Sequence, residues 1–178
     1  MSYYAIQFDS NNNGIGLHVY PVEPISYPPN ELPCTEVQAQ TPMLWQNVNG
    51  VLTESLTFAK STQISLLQSA YQTAINAPVT FTNAAGVTST YPSGNTLLIN
   101  GMKARDMLSE VISAGSSAWT LGKWLDTNNV AQTFTFADLQ GLAAAMEAAI
   151  TLDWSDLVTK IAEVNAATTV ADVQAITF

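Results

Sequence analysis

The sequence predicts an α+β protein in which a proline-rich, extended β segment (residues 1–58) precedes a compact domain of helices and β-hairpins (residues 59–178). Most of the eight prolines lie in the first segment, where they exclude a regular helix or a central strand. Beyond residue 58, apolar residues recur at helical spacing, and β-branched and aromatic runs flank turn residues. A length of 178 residues suits one full core plus a small appendage.

Two hairpins are predicted in the first segment. The short runs YAIQF (4–8) and GLHVY (16–20) flank DSNNNG, which is rich in turn-forming residues. A smaller hairpin is predicted around Asn49-Gly50, a pair that favours a two-residue turn. The stretch PVEPISYPPNELP is predicted to be extended. The edges of such segments can add strands to a partner's sheet.

The compact domain is predicted to alternate helices with hairpins. Its helix starts carry capping patterns, in which Thr135 precedes Asp138 and Thr169 precedes Asp172 by three residues. A glycine at position 115 is a helix stop signal. In chain order the predicted elements are a helix at 59–77, strands at 79–82 and 87–91, a helix at 95–114 with Ile99 on its apolar face, strands at 119–125 and 130–135, and helices at 135–150, 153–165 and 170–178.

The charge balance excludes several classes of partner. Five basic residues stand against fourteen acidic ones, and the first 59 residues contain no Lys or Arg. Because phosphate binding depends on clustered cations, neither nucleic acid nor an anionic membrane surface is an expected partner. No apolar run is long enough to cross a membrane, and the start has no signal-peptide pattern, so synthesis in a cytoplasm is expected.

The residues that usually carry catalysis are sparse. The single histidine, His18, and the single cysteine, Cys34, form the one conceivable thiol couple, and no third residue is indicated to orient it. The acids near the last long helix, Asp153, Asp156 and Glu163, fit favourable helix-start charge and a solvated face better than a glycosidase pair. The sequence therefore predicts no enzyme, no cofactor and no metal site.

Four stretches carry a resemblance to a known family. They are AYQTAINAPVTFTNAAGVTSTYPSG, residues 119–130, FTFADLQGLAAAM and the C-terminal NAATTVADVQAI. Together they resemble the uncharacterised C-terminal domain of tail-fibre and tail-fibre-assembly proteins of tailed bacteriophages, over residues 60–178. The resemblance implies a virion protein of the phage tail, made in the host cytoplasm, that acts by protein-protein interaction in assembly and host attachment. An assembly chaperone and a glycan-binding or glycan-degrading tail protein remain as alternatives.

The partner-binding residues are predicted from aromatic character, because aromatic side chains dominate binding energy at interfaces. Residues 1–58 are expected to dock on a tail-fibre, baseplate or tail-tip protein, and a homo-oligomer, with a trimer favoured, follows if the partner imposes its symmetry. Trp119 and Trp154 are predicted to be core residues instead. The predicted partner-binding residues are Tyr3, Tyr4, Phe8, Tyr20, Tyr27, Trp45 and Trp124.

Overall fold

A computed structural model describes residues 2–98, 100–120 and 122–178, and it confirms the α+β class. The sheets are small and antiparallel. The elements are β1 (Tyr3–Phe8), β2 (Gly14–Tyr20), β3 (Glu31–Cys34), α1 (Glu36–Ala39), β4 (Trp45–Val48), β5 (Val51–Glu54), α2 (Leu56–Ala74), β6 (Val79–Thr82), β7 (Thr88–Tyr91), α3 (Ala104–Ala114), β8 (Lys123–Leu125), β9 (Ala131–Thr133), α4 (Phe136–Ala166) and α5 (Val170–Ala175).

The chain divides into two compact units, and the division differs from the predicted boundary between residues 58 and 59. The first unit joins Met1–Leu66 to Lys160–Thr177, and the second comprises Leu67–Thr159 with Phe178. Two long-range hydrogen bonds hold the first unit together: Lys60 Nζ donates to the carbonyl oxygen of Asn165 at 2.7 Å, and Gln63 Nε2 donates to that of Ile176 at 2.6 Å. Spacing along the sequence does not reveal such contacts between residues far apart in the chain.

The first unit contains a three-stranded sheet with the order β2-β1-β3. The predicted β1–β2 hairpin is confirmed, and the Asp9 carboxylate closes its loop by accepting hydrogen bonds from the backbone N–H groups of Asn11 (2.8 Å) and Asn13 (2.9 Å). The proline-rich stretch ends in β3, which pairs antiparallel with β1. The β4–β5 hairpin is also confirmed, with φ values of 54° at Asn49 and 83° at Gly50, as its two-residue turn requires.

The second unit packs two hairpins and α3 against α4. Its buried cluster is aromatic at the centre, where Tyr91 and Phe134 meet edge to face with ring centroids 5.2 Å apart. Thr135 caps the start of α4, as predicted: its Oγ1 accepts a hydrogen bond from the backbone N–H of Asp138, and the Asp138 carboxylate accepts one from the backbone N–H of Thr135. The buried cluster consists of Tyr91, Leu108, Trp124, Phe134, Leu139, Leu142 and Met146.

Two helix predictions were wrong in extent. The helix predicted from residue 95 begins only at Ala104, because Gly94 has a φ of 55° and the backbone N–H of Asn95 donates to Asn76 Oδ1 at 2.6 Å, which starts a turn instead. Ile99, assigned to that helix, lies outside the described residues. The two helices predicted at 135–150 and 153–165 are one continuous helix, α4, since neither proline nor glycine interrupts the chain between them. Within the described residues, none of the helices is both long and apolar enough to cross a membrane.

Candidate interaction edge

The sheet of the first unit leaves one strand paired on a single side. Strand β2 pairs with β1, and in the described part of the chain no strand pairs with its other side between Ile15 and Tyr20. We call this outer side of residues 15–20 the β2 edge. Just before it, Asn13 bridges to Gln46, and the carbonyl oxygen of Pro42, in the 3-10 turn Pro42–Leu44, lies against Gly14, so β4 and this turn both lie beside the beginning of β2. The β2 edge therefore presents backbone groups that another strand could pair with.

Apolar side chains alternate along the β2 edge. The exposed fractions of Ile15, Leu17 and Val19 are 57%, 43% and 46%. Leu17 lies directly opposite Ile6 of β1, and Val19 lies opposite Tyr4, so these side chains share one face of the sheet. Native sheets usually place lysine, proline or a bulge along such an edge to prevent pairing. Residues 15–20 contain neither lysine nor proline, and the register shift of β2 against β1 places a bulge at Ile15, before Leu17 and Val19.

The opposite edge of the same sheet is protected. Strand β3 carries Pro33, paired with Ala5 of β1, and proline has no N–H to offer to an incoming strand. The helix α1 follows directly after β3, with Thr35 as its N-cap. Only the β2 edge therefore combines unpaired backbone with apolar side chains within the described part of this sheet.

A polar cluster occupies the other face of the sheet, behind the β2 edge. The nearly buried carboxylate of Glu31 accepts hydrogen bonds from Tyr20 Oη at 2.5 Å and from Gln7 Nε2 at 2.9 Å. His18 Nδ1 lies 3.0 Å from the same carboxylate, while the imidazole is about half exposed. The Tyr20 ring contacts His18 at a centroid distance of 4.3 Å and meets Tyr27 edge to face at 5.6 Å.

Glu31 is held in its charged form. Burial raises the pKa of its carboxyl group, but hydrogen bonds from Tyr20, Gln7 and His18 outweigh burial and lower the pKa below the ordinary glutamate value of 4.5. The hydrogen bond to Glu31 and, second, burial raise the pKa of the Tyr20 phenol to about 12, so it remains a donor at neutral pH. Among the described residues, no Lys or Arg forms an ion pair with Glu31.

The charge of Glu31 predicts a pH-dependent stability. Since its pKa is lower in the folded chain, its stabilising effect is present above pH 4.5 and is lost as the pH falls through the folded value. Glu31→Gln should therefore lower the free energy of unfolding most at neutral pH, and the difference from wild type should shrink as the pH falls below the ordinary glutamate pKa of 4.5. Urea unfolding of the wild type and of Glu31→Gln at a series of pH values measures this difference in the free energy of unfolding. A difference that does not change with pH would contradict the prediction.

The structure separates the predicted partner-binding residues into three groups. Tyr3, Tyr20 and Tyr27 are partly buried and lie near the polar cluster, with Tyr3 directly opposite Tyr20. Tyr4 is partly buried on the other face, opposite Val19. Trp45 is partly buried beside a cavity of about 220 Å³ in the first unit.

Two of the predicted partner-binding residues are corrected by the structure. Phe8 and Trp124 are buried within the first and the second unit respectively, so neither is available to a partner. Trp119, predicted to be a core residue, is partly buried and packs against the buried cluster, and its Nε1 donates to the carbonyl oxygen of Phe134 at 2.8 Å. Trp154 was predicted to be in the core and is exposed; its ring meets Tyr71 at a centroid distance of 5.8 Å.

Sequence reasoning missed most of the site. Ile15, Leu17 and Val19 alternate with polar residues in a visible period of two, which is the signal that could have identified an exposed strand face. Glu31 carried no such signal, because its partner Gln7 is 24 residues away in the chain. His18 and Cys34 lie on opposite faces of the sheet, since His18 pairs across from Ala5 whereas Cys34 pairs across from Tyr4. A thiol couple between them is therefore excluded.

Comparison of the chain with protein-family models, with characterised proteins and with solved structures gave no match. Among the described residues, no three His, Cys, Asp or Glu side chains are grouped so that they could hold a metal ion.

Proposed function

We propose that this chain is a non-catalytic structural component of a bacteriophage tail, which docks on a tail-fibre, baseplate or tail-tip protein through the β2 edge. The unpaired β2 edge, with exposed Ile15, Leu17 and Val19, is the observation that carries the docking role. The tail context comes from the resemblance of residues 60–178 to the C-terminal domain of tail-fibre and tail-fibre-assembly proteins. No catalytic role is assigned, because His18 is bound to Glu31 and faces away from Cys34.

Strand addition is the docking mode that suits this edge. A strand that pairs with β2 would satisfy the outward backbone groups and cover three exposed apolar side chains in one step. Because β2 is already ordered by its pairing with β1, this chain loses little conformational entropy when a partner binds.

The proposal predicts that the chain is present in purified phage particles and that one substitution removes it. Leu17→Lys places a charge on the β2 edge and should lower incorporation by at least about tenfold, because a desolvated lysine opposes strand pairing. Val37→Lys, at an exposed position of α1, changes the net charge equally and should leave incorporation unchanged. Mass spectrometry of purified particles from cells that produce each variant provides the copy number.

Two other outcomes would contradict the structural role or the docking surface. Absence of the wild-type chain from particles would contradict a structural role and favour an assembly chaperone that leaves before completion. Normal incorporation of Leu17→Lys would remove the docking surface from the β2 edge. Circular dichroism of both variants checks that the fold is kept.

A further inference from the structure

We infer that the β2 edge accepts an extended segment of a partner protein in which apolar residues alternate with lysine or arginine. This inference rests on the proposed docking at the β2 edge and specifies the chemistry of the partner. Three features of the first unit lead to it: the two different faces of β2, the charge of Glu31, and the composition of residues 1–59.

The two faces of β2 set the alternation. Leu17 and Val19 lie on one face, whereas His18 and Tyr20 lie on the other. A strand added to β2 places successive side chains alternately beside these two faces, because side chains on a strand point to opposite sides in turn. Apolar partner residues therefore lie beside Leu17 and Val19, and every second partner residue lies beside His18 and Tyr20.

The negative charge of Glu31 favours lysine or arginine at the partner residues that lie beside His18 and Tyr20. Glu31 is charged, nearly buried, and compensated by hydrogen-bond donors without a Lys or Arg among the described residues. A partner cation beside Tyr20 would lie on the same face of the sheet as this carboxylate, whose contacts are His18, Tyr20 and Gln7, and in surroundings less screened than bulk water. The rings of Tyr20 and Tyr27 provide aromatic faces that also attract a cation.

The same charges disfavour a second copy of this chain as the occupant. Residues 1–59 carry five carboxylates, contain no Lys or Arg, and belong to a chain of net charge -9. Pairing two β2 edges would bring together two copies of an acidic segment that contains no Lys or Arg, and like charges placed across an interface are unfavourable. A basic partner removes this repulsion.

Synthetic peptides test the inference with the full-length chain. The first probe is a blocked peptide of about eight residues in which valine alternates with lysine, a length that spans residues 15–20 at about 3.3 Å per residue. A second peptide alternates valine with glutamate. A third has the same composition as the Val/Lys peptide, but its valines and lysines form two separate blocks. We expect the alternating Val/Lys peptide to bind about tenfold more tightly than either of the others, and its affinity to fall as salt is raised.

Amide chemical shifts locate the binding, and two variants act as controls. Addition of the Val/Lys peptide should change the amide chemical shifts mainly at residues 15–20. Leu17→Lys should abolish these changes, whereas Val37→Lys, which has the same net charge, should leave them intact. Equal affinity for the Val/Lys and Val/Glu peptides, shifts centred elsewhere, or a dimer of the chain formed through β2 would each overturn the inference. Failure to find the chain in phage particles would overturn the proposed function alone, because the peptide measurements do not depend on it.

Discussion

Trp124→Ala is expected to destabilise the second unit by about 3–5 kcal/mol, whereas Trp154→Ala should change its stability by less than about 1 kcal/mol. Only 3% of Trp124 is exposed, and it packs in the cluster that contains Tyr91 and Phe134, so truncation leaves a cavity. Trp154 is 55% exposed and loses mainly its edge contact with Tyr71.

Urea unfolding of the two variants measures this contrast. Trp124→Phe gives an intermediate control, because it keeps an aromatic ring in the cluster and removes a buried Nε1 donor that has no hydrogen-bond partner among the described residues. We expect it to lose less stability than Trp124→Ala. Equal losses for Trp124→Ala and Trp154→Ala would show that the two tryptophans are buried to a similar extent, contrary to the structure.

The elements that the sequence predicted well are those with local causes. Asn49-Gly50 forms its turn because both residues tolerate positive φ values, and Thr135 caps α4 through a residue three positions away. The bounds of β1 and β2 follow in the same way from short runs beside a turn-rich loop. In each case the determining residues are neighbours in the chain.

The elements that the sequence predicted poorly depend on contacts between distant residues. Trp124 and Trp154 lie in similarly apolar surroundings in the sequence, and only tertiary packing decides that the first is buried and the second exposed. Residues 160–177 join the first unit through hydrogen bonds from Lys60 and Gln63, each more than one hundred positions away. No periodic pattern contains this information.

The candidate site likewise combines features with local causes and features that depend on contacts between distant residues. The alternation of residues 15–20 is visible in the sequence, and it specifies which side chains of β2 share a face. That β2 is an edge strand could not be predicted, because the edge is defined by the pairing of β3 with the far side of β1. The polar cluster follows from that same pairing, since the register of β3 against β1 places Glu31 opposite Gln7.

Gly14→Ala is expected to destabilise the first unit by about 3 kcal/mol, because a methyl group at this position has no space. A Cβ added to Gly14 would lie 2.0 Å from the carbonyl oxygen of Pro42 and 2.9 Å from that of Trp45. Both atoms belong to the backbone, so relief requires the 3-10 turn Pro42–Leu44 and the start of β4 to move away from β2.

Gly50→Ala is the matched control for Gly14→Ala within the same unit. Gly50 has a φ of 83°, and no atom of the described residues lies within 4 Å of an added Cβ, so this change adds backbone strain of about 1 kcal/mol without overlap with them. Hydrogen exchange of the β1 and β2 amides, together with urea unfolding, separates the two effects. Gly14→Ala should accelerate exchange throughout β2, whereas Gly50→Ala should affect mainly the β4–β5 turn.

Because Gly14 immediately precedes Ile15 and fixes where the β2 edge begins, Gly14→Ala should also weaken binding of the alternating Val/Lys peptide. Protection of β2 equal to that in Gly50→Ala would mean that the backbone at Pro42 yields easily, and it would contradict a rigid start of the β2 edge.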